Sequence, residues 1–195
     1  MPKHNTARVR IIGGVWRRRV LKFPTAPELR PTSDRARETL FNWLAPHISG
    51  RRCLDLFAGS GALGFEAASR GAKSVVMVDN DRQVIQQLHD NRTSLGAAQI
   101  NIVTADALRY LNACVREFDL IFVDPPFHLG LAQLACSSLL TSQCLQGSGL
   151  VYVECELGES VAMKPGAWQL HRQCTYGEVN HQLFINQTHD ADMDA

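Results

Sequence analysis

The features that would set this 195-residue chain apart from an ordinary globular protein are missing. It has no apolar run long enough to cross a membrane, and its first residues lack the apolar core of a secretion signal. It shows no internal repeat, no C-x-x-C pair and no H-x-x-x-H pair. An apolar fraction of 45% and a charged fraction of 20% are typical of a globular domain. We therefore expect a cytoplasmic protein without membrane association and without a metal site.

The cysteines do not follow the spacing of a metal site either. A chain without an export signal is expected in a reducing compartment, where disulfides are rare. We therefore expect all six to be free thiols: Cys53, Cys114, Cys136, Cys144, Cys155 and Cys174.

The net charge of +1 hides an uneven distribution. Residues 1–52 contain twelve Lys/Arg and three Asp/Glu, a net charge of +9, whereas residues 53–195 contain eight and sixteen, a net charge of −8. A basic segment on an acidic body indicates a polyanionic partner. We predict a basic arm with its loop at 1–30, a main domain at 31–187 and a loose acidic tail at 188–195.

The basic arm has the pattern of a β-hairpin. Residues 8–12 and 15–23 alternate apolar and basic side chains around Gly13-Gly14, which predicts two strands joined by a turn. Val9, Ile11, Val15 and Val20 are expected on its apolar face. The candidate contacts to phosphates are the basic residues of the arm and of the next helix: Arg8, Arg10, Arg17, Arg18, Arg19, Lys22, Arg30 and Arg35.

Strand and helix patterns alternate from residue 52 onward. Strands are predicted at 52–57, 73–79, 100–104, 118–123 and 150–155, with a final antiparallel pair at 167–174 and 180–186. Helices are predicted at 34–45, 61–70, 81–95, 106–115 and 129–140. This alternation predicts an α/β fold, in which a mostly parallel sheet is covered by helices on both faces.

A glycine-rich segment joins the first strand of this region to a helix. Its G-x-G-x-x-G spacing is typical of turns that bring the backbone close to a nucleotide cofactor: Ala58-Gly59-Ser60-Gly61-Ala62-Leu63-Gly64. Asp79 ends the second strand, where a carboxylate can accept hydrogen bonds from ribose hydroxyls. On these residues alone, a nicotinamide dinucleotide fits as well as another adenosine cofactor.

Two further carboxylates favour S-adenosylmethionine. Asp55 directly precedes the glycine turn, where it would disfavour a pyrophosphate but attract a cationic ligand with an amino group. Asp106 follows the third strand and can accept from the adenine amine, while the N–H of Ala107 can reach a ring nitrogen; Asp106 also suits a helix N-cap. The remaining residues of the predicted cofactor site are Phe57, Ser60, Gly61 and Asn80.

The segment Asp124-Pro125-Pro126-Phe127 predicts the chemistry. Two consecutive prolines stiffen the loop and remove two N–H donors, which leaves its carbonyls free to face a ligand. Asp124 and the carbonyl of Pro125 can both accept from one exocyclic amine, and Phe127 can lie against the ring that carries it. Because the lone pair of such an amine is delocalised, two acceptors favour a pyramidal nitrogen that can attack a methyl group. The structural alternative is a Pro-Pro turn with a core phenylalanine.

With these motifs, the chain resembles the class I S-adenosylmethionine-dependent methyltransferases, and more closely the bacterial 16S rRNA guanine-N2 methyltransferases of the small ribosomal subunit. The matching segments follow the family's order: Arg10–Gly14 with Trp16, Leu29–Thr32, Asp34-Arg35, Arg37–Leu44, Asp55–Gly64 and Asp124–Phe127. The family commonly has Trp-Arg-Gly-Arg in its arm, where this chain has Trp16-Arg17-Arg18-Arg19, and often Glu in place of Asp79.

The resemblance implies a Rossmann-like, seven-stranded sheet and methylation of N2 of one guanine, guanine 966, in 16S rRNA. It implies a small-subunit particle as partner and S-adenosylmethionine as cofactor. It also implies cofactor contacts at Asp55, Gly59–Gly61, Asp79 and Asp106, and catalysis at Asp124–Phe127. We expect a monomer.

Other functions stay open at this point. The same catalytic loop serves amino-methyltransferases that act on DNA adenine or on a protein glutamine, although Asp at position 124 and the basic arm favour rRNA. A non-catalytic RNA-binding or assembly factor is a second alternative, against which the intact acidic and glycine residues argue. A nicotinamide dehydrogenase comes last, because the sequence offers no acid/base pair suited to hydride transfer.

Overall fold

The computed structural model describes residues 6–25, 32–114, 118–159, 161, 163 and 168–186. The strands are β1 Thr6–Arg10, β2 Val20–Pro24, β3 Arg52–Asp55, β4 Ser74–Asp79, β5 Ile100–Thr104, β6 Phe118–Val123, β7 Leu145–Glu156, β8 Trp168–Tyr176 and β9 Val179–Asn186. The helices are α1 Asp34–Leu44, α2 Ala62–Ser69, α3 Arg82–Leu95, α4 Ala107–Ala113 and α5 Leu131–Leu139. Among the described residues, no helix has the length and apolar character that a membrane crossing requires.

The predicted α/β fold is confirmed. β1 and β2 form a separate hairpin, and the other seven strands form one sheet in the order β5-β4-β3-β6-β7-β9-β8. The neighbours from β5 to β7 pair in parallel, whereas β9 is antiparallel to both β7 and β8. The sheet grows in opposite directions from β3 and β6, which leaves a crevice at the carboxyl ends of these two strands.

Side chains of the strands alternate between two apolar layers, because successive residues of a strand point to opposite faces. In β6, Leu120 and Phe122 belong to the layer that includes α1, α2 and α3, whereas Ile121 and Val123 belong to the layer with α4 and α5. The sheet is therefore buried on both faces, which explains its almost continuous apolar strands.

The predicted helices and strands agree with the structure within two residues at each end, apart from β7 and the start of β2, which was predicted at residue 15 and lies at Val20. β7 begins at Leu145, which pairs with Phe118, and the register then shifts between Phe118 and Leu120. The irregularity takes up the Gly147-Ser148-Gly149 stretch, since Phe118 pairs with Leu145 and Leu120 with Leu150.

The hairpin exists, but the predicted turn at Gly13-Gly14 is wrong. β1 and β2 are antiparallel with Arg10 opposite Val20, so residues 11–19 form a long connection. Val9 and Ile11 are buried as expected, whereas Val15 is 80% exposed and Val20 52% exposed.

The connection at residues 11–19 packs along α2, and contacts with that helix determine its shape. The N–H of Val15 donates to the Ser69 carbonyl at 2.8 Å, and Ser69 Oγ donates to the Gly13 carbonyl at 2.6 Å. Gly14 has a φ of +75°, and a Cβ there would lie 1.9 Å from the Ser69 carbonyl oxygen. The close approach to α2 overrides the local preference for a two-residue turn.

A buried carboxylate of α2 holds the same connection. Glu66 accepts from the N–H groups of Ile12 and Gly13 and from Arg70 Nε, each at 2.7 Å. The fully buried guanidinium of Arg37 lies 3.8 Å from Glu66 Oε2.

The buried Arg37 side chain also links separate segments of the chain. It donates to the Arg10 carbonyl at 2.9 Å and to the Thr32 carbonyl at 3.3 Å. It thereby joins the hairpin to the segment that precedes α1.

The expectation of six free thiols is wrong for one pair. Cys114 and Cys144 are joined by a disulfide, with their Cα atoms 5.5 Å apart. The fold brings the end of α4 next to the start of β7, although the two cysteines are 30 residues apart in sequence. Cys53, Cys136, Cys155 and Cys174 are free, and burial raises the pKa of Cys136 to about 12.

Replacing Glu66 by glutamine should destabilise the protein. The neutral amide would leave buried Arg37 without one of its charge partners and would turn an NH₂ group towards a backbone N–H. Breaking a buried, hydrogen-bonded ion pair costs a few kcal/mol, so we expect the free energy of unfolding to fall by about 2–4 kcal/mol in urea titrations. Glu38→Gln, an exposed change on α1, is the control and should alter it by less than about 0.5 kcal/mol. Equal stability of the two variants would contradict this role of Glu66.

Candidate active site

A cavity of about 720 Å³ opens at the crevice beside β3 and β6. This volume lies in the range of small-molecule and cofactor sites. Eight of the nine predicted cofactor residues line it, together with the complete predicted catalytic segment: Asp55, Phe57, Gly59, Ser60, Asp79, Asn80, Asp106, Ala107 and Asp124–Phe127. In the described part of the chain, no three His, Cys, Asp or Glu side chains form a group that could hold a metal ion.

The ninth predicted residue, Gly61, lies at the N-terminus of α2. A Cβ there would come within 2.7 Å of side-chain carbons of Leu88 and Phe65. The packing of α2 against α3 therefore accounts for this glycine without reference to a ligand.

Asp55 ends β3 beneath the glycine turn. Its Oδ2 accepts from the Gly64 N–H at 2.9 Å, and the residue is buried. Burial raises the pKa of Asp55 to about 7, the hydrogen bond from Gly64 opposes this rise, and the nearby carboxylates of Asp124 and Asp79 add to it. A cationic group that enters the cavity would relieve this repulsion.

Asp79, at the end of β4, connects the glycine turn to α3. Its Oδ2 accepts from the Gly59 N–H and its Oδ1 from the Asp81 N–H, both at 2.9 Å. Burial raises the pKa of Asp79, and these hydrogen bonds lower it. Asp81 is the N-cap of α3 and accepts from the N–H groups of Gln83 and Val84.

Asp106 has the predicted position of a helix N-cap. Its Oδ1 accepts from the Arg109 N–H at 2.9 Å, which makes it the N-cap of α4. It also lines the cavity beside Ala107, on the side next to Asp79 and Asn80.

The Asp124–Phe127 segment follows β6 and forms one wall of the cavity. Phe127 is 38% exposed, so the alternative of a core phenylalanine is wrong. The next residue, His128, has a φ of 65°, which is uncommon outside glycine. Glu156 of β7 holds it there, because it accepts from the His128 N–H at 3.0 Å and lies 2.7 Å from His128 Nδ1. Glu156 thus fixes the loop on the C-terminal side of Phe127.

The sequence analysis did not predict a buried polar cluster that lies behind Asp124. Thr32 Oγ1 lies 3.1 Å from Asp124 Oδ2 and 2.9 Å from Glu154 Oε1. The Tyr152 hydroxyl lies 2.9 Å from Glu154 Oε1 and 2.7 Å from His181 Nδ1. The signal in the sequence was a glutamate that ends the otherwise apolar run Leu150-Val151-Tyr152-Val153.

The carboxyl groups of this cluster have unusual acidity. Burial raises the pKa of Asp124 to about 6, and hydrogen bonds from Thr32 and Glu154 oppose the rise. Burial, followed by the charge of Asp124, raises the pKa of Glu154 well above its ordinary value. Burial lowers the pKa of His181 to about 4, so its imidazole is neutral near pH 7.

The predicted phosphate contacts lie on the surface wherever they are described. Six of them are exposed on the hairpin: Arg8, Arg10, Arg17, Arg18, Arg19 and Lys22. Arg35 is also exposed, and its guanidinium lies 5.4 Å from the centre of the Tyr176 ring. Arg30 and the predicted tail at 188–195 lie outside the described residues.

A second cavity, of about 450 Å³, lies between the hairpin and the start of α1. Arg8, Arg10 and Arg18 line it, together with Thr32, which also lines the main cavity. The basic face of the hairpin therefore adjoins the wall that contains Asp124.

Comparison with known proteins agrees with this geometry. The sequence model of the family described as "Conserved hypothetical protein 95" matches residues 9–185. "Ribosomal RNA small subunit methyltransferase D" of Escherichia coli strain K12 is 44% identical over 184 residues, which cover 94% of this chain and 93% of that protein. The protein of the same name from Haemophilus influenzae is 43% identical and is covered to 94% by the match.

Solved structures give the same result. The putative methyltransferase yhhF from Escherichia coli superimposes with a TM-score of 0.82 at 44% identity, over 92% of this chain and 98% of that one. The putative methylase HI0767 from Haemophilus influenzae gives 0.78 at 41% identity, over 92% and 99%. The chain therefore belongs to the Conserved hypothetical protein 95 family and is a relative of the ribosomal RNA small subunit methyltransferase D proteins.

Proposed function

We propose that this protein is an S-adenosylmethionine-dependent methyltransferase that methylates the exocyclic N2 amine of a guanine in 16S rRNA. The observation that supports this most strongly is the meeting of Asp55 and the Asp124–Phe127 loop in one cavity. The 44% identity to proteins named small subunit methyltransferases favours rRNA over the amines of DNA adenine or protein glutamine. Guanine 966 is the proposed target, since it is the position implied by the resemblance.

The cavity suits this cofactor. Its charged lining in the described chain consists mainly of carboxylates, and a cation in contact with Asp55 would relieve their repulsion. We assign the cofactor's amino group to Asp55, its ribose to Asp79 and Asn80, and its adenine to Asp106 and Ala107. Phe57 and the Gly59-Ser60 turn complete the site. When bound, the cofactor supplies an electrophilic methyl group.

Asp124 and Pro125 are the proposed acceptors for the two hydrogens of the guanine N2 amine, with Pro126 keeping the loop rigid. Exposed Phe127 packs against the base, which must leave its stack to enter the cavity. As N2 gains its methyl group it becomes cationic, and the Asp124 carboxylate stabilises that charge and takes one proton. Much of the rate enhancement comes from holding the amine in line with the methyl donor.

The exposed basic residues of the hairpin are the proposed contacts to the rRNA backbone. Single-stranded loops are favourable targets, since their bases are already partly unstacked. We propose a small-subunit particle as the partner, a monomer as the active form and the cytoplasm as the place of action.

The first test is methyl transfer from labelled S-adenosylmethionine to small subunits that lack the modification. Wild-type protein should place label in N2-methylguanosine of 16S rRNA. Asp124→Ala should lower kcat at least 100-fold, as expected for the loss of a group that stabilises developing charge, and should keep the affinity for the cofactor within about threefold. Asp90→Ala, an exposed change on α3, should retain full activity.

The other outcomes separate the alternatives. Near-normal turnover of Asp124→Ala would refute the catalytic assignment. Cofactor binding without label in rRNA would direct the search to DNA or protein amines. Absence of both binding and label would favour a non-catalytic factor.

The affinity for S-adenosylmethionine should depend on pH through Asp55. Its pKa of about 7 means that the carboxyl group is largely protonated at pH 6, whereas a cationic amine favours the carboxylate. The Kd, measured by calorimetry, should therefore rise about tenfold per pH unit below pH 6. Methylthioadenosine, which lacks the amino acid part, should show little dependence, and so should Asp55→Asn. Equal pH dependence for both ligands would contradict the assignment.

Binding of the small subunit should weaken with salt. If the hairpin neutralises phosphates, log Kd should rise linearly with log salt, and each arginine removed should lower the slope by about 0.7–0.9. Arg17→Gln and Arg8→Gln are suitable variants, because both residues are exposed on the hairpin. Arg82→Gln, an exposed change at the start of α3, is the control for net charge. A slope that the hairpin variants do not change would exclude them as phosphate contacts.

A further inference from the structure

Glu154 is a buried acid that has no part in the proposed contacts to cofactor or base. Glu154, near the end of β7, is only 3% exposed and interacts with Thr32 and Asp124 of the cavity lining. It lies directly opposite His181 of β9 in the sheet register. A charged side chain in such a place is costly unless it is paired or neutral.

The hydrogen atoms available around the two carboxyl groups can be counted. Thr32 has one hydroxyl hydrogen and lies within reach of both Asp124 and Glu154. Tyr152 also has one and lies within reach of both Glu154 and His181. If Nδ1 of neutral His181 accepts, it takes the Tyr152 hydrogen; if it donates to Tyr152, the Tyr152 hydrogen goes to Glu154. With either tautomer, the single Thr32 hydrogen serves only one of the two carboxyl groups at a time, so the hydroxyl hydrogens of these described residues are too few for two neighbouring carboxylates.

Among the residues that the structure describes, the charges that face the pair do not supply a balancing cation. Asp55, at the end of β3, adds negative charge, while Tyr152, His181 and Cys174 are neutral near pH 7.

On the α1 side, the guanidinium of Arg37 reaches this cluster through the backbone carbonyl of Thr32. Its charge is already matched by Asp34, at 2.7 Å, and by Glu66. Two carboxyl groups that share such a site hold one proton between them.

The surroundings decide which of the two holds the proton. Asp124 lines the open cavity and is partly exposed, whereas Glu154 is almost completely removed from water. The ionised form is less costly at the more solvated position. The two carboxyl groups also share a hydrogen bond, in which Glu154 is the donor if it is the protonated member.

We propose that Glu154 is a positioning residue that stays protonated near neutral pH, donates its O–H to Asp124, and thereby keeps Asp124 ionised and directed at the substrate amine. Its effect on catalysis rests on the proposed function, whereas its protonation state does not. During the proposed reaction, the N2–CH₃ bond forms as the S–CH₃ bond of the methyl donor breaks and its sulfur is left as a neutral thioether; one N2–H bond then breaks, and that proton moves to Asp124. Glu154 keeps its own proton throughout, so the pair holds two protons until the product leaves.

The protonation state is tested on the full-length wild-type protein without substrate. Carbon-13 NMR of the side-chain carboxyl groups should show Asp124 titrating at about pH 6 and Glu154 still protonated at pH 7. Titration of Glu154 at the ordinary glutamate range would overturn the proposal, whatever the protein methylates. This measurement needs no variant and no activity.

The positioning role is tested by the pH dependence of kcat/KM for Glu154→Gln and Glu154→Leu. Glutamine keeps a donor towards Asp124, so activity within about threefold of wild type and an unchanged acidic limb are expected. Leucine removes the donor, so the acidic limb should move about one unit higher, which is about fivefold less activity at pH 6 and about twofold at pH 7.

Glu178→Gln, an exposed change in the turn after β8, is the matched control and should match wild type at every pH. Equal losses in the glutamine and leucine variants at every pH, without a moved limb, would reduce Glu154 to a structural role. Melting temperatures of both variants show whether folding accounts for a loss. Failure of the wild-type protein to methylate small subunits would count against the proposed function. The NMR titration would still decide whether Glu154 is protonated.

Discussion

The sheet topology forces several carboxylates into one crevice with little water, and the rest of the site follows from that constraint. β3 and β6 are parallel neighbours, so Asp55 and Asp124 reach the same edge of the sheet, with Asp79 one strand away. Each carboxylate is held by hydrogen bonds from the backbone or from hydroxyl groups, which limit the cost of its desolvation. The crevice therefore has negative charge in excess, and it favours a cationic ligand over a phosphate.

The hairpin and this crevice are physically connected. Glu66 fixes the hairpin connection through two backbone N–H groups, and Arg37 links Glu66 to the carbonyls of Arg10 and Thr32. Thr32 then contacts Asp124. The basic surface and the catalytic carboxylate are thus fixed relative to each other by buried groups, so a nucleic acid that binds to the hairpin meets the cavity at a defined place.

The elements and motifs that depend on local sequence were predictable. The alternating patterns determine β3 to β6 and the helices between them, and the glycine turn and the Asp124 loop are contiguous segments that contain their own chemistry. Features that depend on contacts between residues distant in sequence could not be predicted. The course of residues 11–19 is set by Ser69 and Glu66, the Cys114–Cys144 disulfide by the approach of α4 to β7, and the Glu154 cluster by the insertion of β9 beside β7.

Two buried glutamates show how the same side chain takes different states in one fold. Glu66 is surrounded by donors, namely two backbone N–H groups and the guanidinium groups of Arg70 and Arg37, and such a site stabilises a carboxylate. Glu154 meets another acid, two hydroxyl groups and a neutral imidazole, and such a site stabilises the carboxylic acid. An ionised Glu154 would add a second negative charge beside Asp124 and raise the cost of ionising the group that must receive the proton of the amine. The neutral state of the inner acid is therefore what allows the outer one to remain a base.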